Sequence, residues 1–285
     1  MRSAFKKLPS GKHSIDAGLL FAVTLCSVIS TVLIYSISHN KLLEGVGSSY
    51  WRTQLISMGM GLTAAVIMSF IDYRKLVKLW FIFAPAALIL VGLTFTSLGY
   101  QRAGADDQAW IQIGSFSFQP SEVLKLAFIL TFAYHLSRDE EEMNKPLHML
   151  LLCIHALVPI GIIGLQGDYG TAIVFVFIFV FMICSAKISW KYLVAGPFVA
   201  AAGIAAMWFF ALDEFHKKRV TILFHPGTDP ENIEYQQDLG LMALKSGKIF
   251  GKGLFAKSSE YVSVPEMHND FIFTYAGQVF GFLGS

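Results

Sequence analysis

Long apolar runs parted by short polar stretches set the plan of this chain. Seven runs fall at 15–37, 51–71, 76–98, 123–136, 147–165, 171–186 and 192–212, and an eighth opens at Phe271. A helix that crosses the hydrocarbon core of a bilayer needs about 20 mostly apolar residues. The pattern therefore predicts an all-α, polytopic membrane bundle with about eight spans. The run 123–136 is short and carries Lys125, so protein rather than lipid is expected around it. Residues 213–269 break the pattern between the seventh and eighth runs. There Thr228 or Asp229 can cap a helix with Pro230 in its first turn and Gly247 after its end. Ile233, Leu239, Met242 and Ala243 would share one face of it. Two readings stand: a helix lying on the membrane or over a cavity, and a helix that simply packs.

Composition and charge sharpen this plan. Of the 285 residues, 54% are hydrophobic and 15% charged, where a soluble domain carries about 25% charged residues. The 25 Phe suit a surface facing lipid, and a net charge of +2 gives no reason to expect nucleic acid. Cys26, Cys153 and Cys184 each stand alone in an apolar run, without metal-ligand spacing, and read as buried apolar side chains. The basic start (Arg2, Lys6, Lys7, Lys12) leads into an apolar run with no small-residue cleavage site, as in a first anchor helix. With the amino terminus inside, the inner short loops hold eleven Lys and Arg and the outer ones three (Lys41, Arg52, Arg102). The excess of positive charge on the inner side predicts a cytoplasmic amino terminus. The stretch 213–269 is then a large, structured extracytoplasmic loop within one membrane domain, 1–285.

That topology puts three polar junctions on the outer side. In Gln119-Pro120-Ser121-Glu122-Val123-Leu124-Lys125, Pro120 suits a first helical turn. Glu122 and Lys125, three apart, share a helix face with the acid nearer the amino end. In Gly167-Asp168-Tyr169-Gly170-Thr171-Ala172 a glycine turn presents Asp168 at a helix start, as a cap or as a functional carboxylate. In Val264-Pro265-Glu266-Met267-His268-Asn269-Asp270-Phe271-Ile272-Phe273, Asp270 either caps the helix beginning at Phe271 or serves chemistry, with His268 beside it. The turn Gly251-Lys252-Gly253-Leu254 could cradle a diphosphate through backbone amides, although such glycines mostly make turns.

These runs resemble the SEDS family of bacterial shape, elongation, division and sporulation proteins, the group of RodA, FtsW and SpoVE. The matching stretches, in the family's order, are FQPSEVLK (Phe118–Lys125), GDYGTA (Gly167–Ala172), SGKIFGKGL (Ser246–Leu254) and VPEMHNDFIF (Val264–Phe273). Trp110-Ile111 with Gly114 matches the segment before the first of them. The resemblance covers nearly all of the chain and leans toward the elongation type. It departs in three places. Ala109 stands where the family usually has arginine, Gln278-Val279 where it often has a glutamate pair, and the chain ends inside the eighth of an expected ten spans, as in a truncated product.

The resemblance implies a peptidoglycan glycosyltransferase that polymerises lipid II at the outer face of the bacterial cytoplasmic membrane, with Asp270 as the essential carboxylate. Glu122, Lys125, Asp168, Trp110, His268 and Lys252 are the supporting or substrate-binding candidates. A sugar hydroxyl is a poor nucleophile near neutral pH, so a carboxylate base at Asp270 would activate it. Lys125, kept charged by Glu122, would meet the charge on the leaving diphosphate. A divalent cation, magnesium or manganese, is a candidate for the same task, although no cluster has clear metal spacing. A class B penicillin-binding protein, a transpeptidase, is the implied partner. Two other readings stay open: a lipid-linked precursor flippase, and a non-catalytic scaffold for the transpeptidase.

Overall fold

The computed structural model describes residues 15–42, 49–101, 107–114, 116–138, 142–210, 212, 214–225, 227 and 234–285. The expected residues Arg102, Thr228, Asp229, Pro230 and Ile233 lie outside them. The chain forms two compact units, one of 71–203 and one joining 15–70 to 204–285.

In the first unit, α3 (Tyr73–Lys78) and α4 (Trp80–Gly92) are followed by a 3-10 turn (Leu93–Phe95). A small sheet of β1 (Gly99–Tyr100), β2 (Trp110–Ile113) and β3 (Phe116–Phe118) comes next. Then follow α5 (Pro120–Arg138), α6 (Pro146–Leu165), α7 (Tyr169–Ser185) and most of α8 (Trp190–Phe210). The second unit holds α1 (Ala17–His39), α2 (Ser49–Ser69), α9 (Glu214–Phe224), α10 (Tyr235–Ser246) and α11 (Ile272–Gly284). The eight expected runs map onto α1, α2, α4, α5, α6, α7, α8 and α11. Among the described residues α1, α6 and α8 are long and apolar enough to cross a membrane, and α4, α7 and α11 are shorter apolar helices.

Local signals explain the ends. Asp16 caps α1 by accepting the Leu19 N–H at 3.0 Å, and Pro146 opens α6 in the position where a missing N–H costs nothing. Inside α1 the hydroxyls of Thr24, Ser27 and Thr31 each donate to the carbonyl four residues back, at 2.7–2.8 Å. These three hydroxyls are thus not left bare toward hydrocarbon. The run 76–98 is broken at Leu79, whose backbone (φ −92°, ψ 16°) is not helical. The three strands were not foreseen. They pair antiparallel, with Tyr100 opposite Trp110 and Ile111 opposite Phe118.

The core of the first unit is built around α5. Its buried residues Leu124, Ala127, Phe128, Thr131, Phe132 and Leu136 recur at helical spacing. They pack with Val91 of α4, Leu152 and Ile163 of α6 and Phe175 of α7. Protein thus covers one face of this run, while Val123, Leu126 and Ile129 stand exposed, so the expectation of protein around it holds for that face alone. Between apolar helices in lipid, packing and hydrogen bonds rather than water exclusion hold the contact. Within this core Thr131 Oγ1 lies 3.1 Å from His155 Nε2, and His155 Nδ1 lies 3.1 Å from His135 Nδ1. In contrast, α8 and α2 bury no residue, and side chains such as Phe198 and Phe210 stand exposed, as lipid-facing positions would. Cys26 and Cys184 are exposed too, and Cys153 is half-buried. This corrects the expectation of burial: lipid is as apolar a surrounding as a protein core.

The core of the second unit joins Leu33, Ile37 and Leu42 of the α1 end to Ala243, Tyr261, Val264, Met267, Tyr275 and Val279. Helix α10 packs on α11, with Gly240 and Ala243 buried and Leu239 partly so. Met242 is exposed, not on the packed face as expected. Packing on α11 is thus one role of this helix.

Candidate active site

In the first unit the starts of α5 and α7 meet. Asp168 caps α7 by accepting the Thr171 N–H through Oδ1 at 2.9 Å. Its second oxygen, Oδ2, accepts from Gln119 Nε2 at 2.8 Å, just before α5. One carboxylate thus fixes the start of one helix to the approach of another, so the capping reading of Asp168 is correct and incomplete. Three residues into α5, Glu122 Oε1 accepts from Lys125 Nζ at 2.8 Å. The Glu122 side chain is 60% exposed and that of Lys125 24%, so the pair stands at the rim rather than in the core. The sheet comes to the same end. Gln108 N–H donates to the Gln166 carbonyl at 3.4 Å, two residues before Asp168, and Trp110 follows, half-buried on β2. Ala109, where the family usually carries arginine, is buried and offers no charge.

The second unit holds Lys252, His268 and Asp270. The turn before α11 alternates buried anchors with exposed side chains. Val264 and Met267 are fully buried, while Glu266, Asn269 and Asp270 are exposed. Glu266 adopts φ +55°, a left-handed backbone that a non-glycine residue rarely takes. Its carbonyl then accepts from Asn269 N–H at 2.9 Å and Phe271 N–H at 3.3 Å. Asp270 does not cap α11. The helix is entered through Phe271 with no side-chain cap, because the preceding turn is closed by backbone bonds to the Glu266 carbonyl. Among the described residues no hydrogen bond or ion pair involves the Asp270 carboxylate. That leaves it free to act on a bound molecule.

Lys252 is tied down rather than free. Its ammonium donates to Ser246 Oγ at 2.7 Å and to the Glu260 carbonyl, and lies 5.9 Å from the Tyr261 ring centre. Burial lowers its pKa from the ordinary lysine value, against the pull of Glu260 and with the push of Lys248. The diphosphate-cradle expectation fails for the amides around it. The N–H groups of Gly251, Lys252 and Gly253 donate to the carbonyls of Gly247, Gln278 and Val279, at 2.8, 2.8 and 3.0 Å. These glycines serve the turn, with φ of +76° and +84°.

Four residues that the sequence left without a role take part here. Gln119 holds Asp168, and Tyr50, Glu266 and Asn269 surround His268. Gln119 and Glu266 could have been marked by their places in the quoted runs, each a polar side chain within four residues of a candidate carboxylate. Tyr50 leaves no such signal, since it is 218 residues from His268 in the chain.

Comparison with known proteins decides the family. The family model described as cell cycle protein, of FtsW, RodA and SpoVE, matches residues 17–285. The chain belongs to this family. Among its relatives is the peptidoglycan glycosyltransferase MrdB of Escherichia coli, 28% identical over 98% of this chain and 73% of the relative. The probable peptidoglycan glycosyltransferase FtsW of Neisseria gonorrhoeae is 30% identical over 95% of this chain and 66% of that protein. In fold, the chain is similar to a component of a peptidoglycan synthase complex that coordinates polymerization and crosslinking. That likeness has a TM-score of 0.71 at 24% identity, over 95% of this chain and 73% of the other. It is also similar to the rod shape determining protein RodA of Thermus thermophilus, with a TM-score of 0.54 at 27% identity, over 66% of this chain and 59% of that one.

Within this SEDS frame the departure at Gln278 has a physical reading. Its side chain is fully buried. Oε1 accepts from Val262 N–H at 2.8 Å, and Nε2 donates to the Val262 carbonyl at 3.0 Å. This reciprocal pair needs a donor and an acceptor on one side chain, which an amide has and an ionised carboxylate lacks. Gln278 is thus a structural tie between α11 and the loop before it.

Proposed function

We propose that this multi-pass membrane protein is a peptidoglycan glycosyltransferase that polymerises lipid II at the outer face of the cytoplasmic membrane, with its amino terminus in the cytoplasm. The observation that carries the reading is Asp270. It is an exposed carboxylate with no hydrogen bond or ion pair among the described residues, on a turn anchored by Val264 and Met267, at the start of an apolar helix. Asp168 and Glu122, by contrast, are engaged in a helix cap and an ion pair.

The chemistry follows. The acceptor sugar's 4-hydroxyl oxygen attacks the anomeric carbon of a lipid-linked donor, and Asp270 takes the hydroxyl proton as the new C–O bond forms. The bond from that carbon to the diphosphate breaks, and the diphosphate leaves with the electron pair, still on its polyprenyl tail. Asp270 then yields its proton to water. Lys125, oriented by Glu122, is the proposed cation for a diphosphate. A divalent cation is an alternative source of positive charge. Among the described residues no group of three or more His, Cys, Asp or Glu is placed to hold one, so no step is assigned to it. A class B penicillin-binding protein is the proposed partner. Support comes from the fold shared with a component of a complex that coordinates polymerization with crosslinking.

The test is the purified chain in lipid nanodiscs with labelled lipid II. Glycan polymer is the expected product. Lipid translocation without polymer would replace this reading with a flippase, and neither activity with retained transpeptidase binding would replace it with a scaffold.

A further inference from the structure

His268 carries more than position. Its side chain is only 8% exposed, and its ring meets that of Tyr50 edge-on, with centres 4.8 Å apart at 84°. Yet Nδ1 is buried and has no hydrogen-bond partner among the described residues. A buried polar atom left bare is costly and asks for an explanation.

The neighbours decide which ring nitrogen holds the proton. The Asn269 amide atom 2.9 Å from Glu266 Oε2 must be its nitrogen, because a carboxylate only accepts. That same nitrogen lies 3.2 Å from His268 Nε2. Glu266 Oε2, at 3.8 Å from Nε2, is beyond hydrogen-bond reach, and an amide nitrogen cannot accept, so the neutral imidazole turns a bare Nε2 toward Asn269. The proton then resides on Nδ1, and the unpartnered buried atom is a donor.

We propose that His268 Nδ1–H donates a hydrogen bond to a sugar oxygen of the bound glycan substrate, and that Asn269 and Glu266 are positioning residues that fix the tautomer. The inference rests on the glycosyltransferase reading above, since it takes a sugar to be brought to Asp270, two residues along. Asn269 is what makes the device specific. A carboxylate in its place would accept from Nε2–H, reverse the tautomer and turn Nδ1 into an acceptor.

The experiment is a long-range ¹H–¹⁵N spectrum of histidine-labelled protein in nanodiscs, with His268 assigned by loss of its signals in His268→Gln. Without substrate, a protonated Nδ1 and a bare Nε2 are expected, and addition of lipid II should shift Nδ1. In Asn269→Asp the two nitrogens should exchange character and lipid II affinity should fall about tenfold, the upper range for one neutral hydrogen bond. If that variant does not accumulate, Asn269→Ala should give a mixture of both tautomers. A protonated Nε2 in the parent chain, or an Nδ1 that lipid II leaves unmoved, overturns the inference. Lipid II that shifts Nδ1 without ever being polymerised would uphold the inference and sink the polymerase reading instead.

Discussion

Replacing Gln278 with Met keeps the length and the apolar stem of the side chain and removes both of its hydrogen-bonding groups. In the folded chain the amide closes a two-way pair with the backbone of Val262, at 2.8 and 3.0 Å, from a fully buried position. The variant strands the Val262 N–H and carbonyl together. Each stranded buried group costs about 1–3 kcal/mol. Val262 is half-buried rather than sealed, which lets water recover part of that. The net loss is expected to be about 2–4 kcal/mol, where a volume-conserving apolar swap by itself costs under about 1.5 kcal/mol. For a chain of this size each kcal/mol lowers the thermal midpoint by about 2–4 °C, so a fall of about 4 °C or more should appear. Tryptophan fluorescence during heating, in detergent or nanodiscs, reads it from the five Trp of the chain. A midpoint unchanged within error would show that the Val262 pair adds nothing and refute the structural account of this departure from the family pattern.

Three further outcomes are expected. Gly251→Ala should lower the yield of folded protein and its thermal midpoint, because φ is +76° and a Cβ there would lie 2.1 Å from the Val279 carbonyl oxygen. The left-handed backbone alone costs about 1–2 kcal/mol for other residues, and a midpoint like the parent's would contradict this. Asp168→Ala loses the α7 cap, about 0.5–2 kcal/mol, together with the Gln119 bond. Asp168→Asn, which can still cap, should recover part of the loss in the same melt, and equal melting of the two would refute the cap. The Glu142 carboxyl is held below the usual carboxylate range by its hydrogen bond from Lys145, then by the charges of Lys145 and His148. Its folded pKa is depressed, so its favourable contribution is full above the ordinary glutamate value and fades as pH falls through the lowered one. An NMR titration should show that low midpoint, and Lys145→Ala should raise it; no movement would refute the assignment.

The helices were legible because an apolar run of spanning length has few alternatives, and Pro120 and Asp168 announce helix starts by chemistry that acts within one turn. What stayed hidden depends on partners far away or on backbone states that residue type does not declare. The strands are two to four residues long and are held by pairing, so Trp110 gave no periodic signal. The break at Leu79 is a matter of one residue's ψ. Asp270 looks like a cap until Glu266 is seen to take positive φ and close the turn by itself. The glycines around Lys252 look like a cradle until the amides of Gly251, Lys252 and Gly253 are found spent on Gly247 and α11. Gln278 reads as a lost carboxylate, and only the Val262 backbone, 16 residues earlier, shows what the amide does.

The most direct measurement is the glycan polymer made from labelled lipid II by Asp270→Asn beside the parent chain, both in nanodiscs. Asparagine keeps the shape and removes the base. The account predicts a loss of at least about 10²-fold, the lower range for a general base, with unchanged membrane insertion and thermal midpoint. Polymer at the parent rate would contradict it.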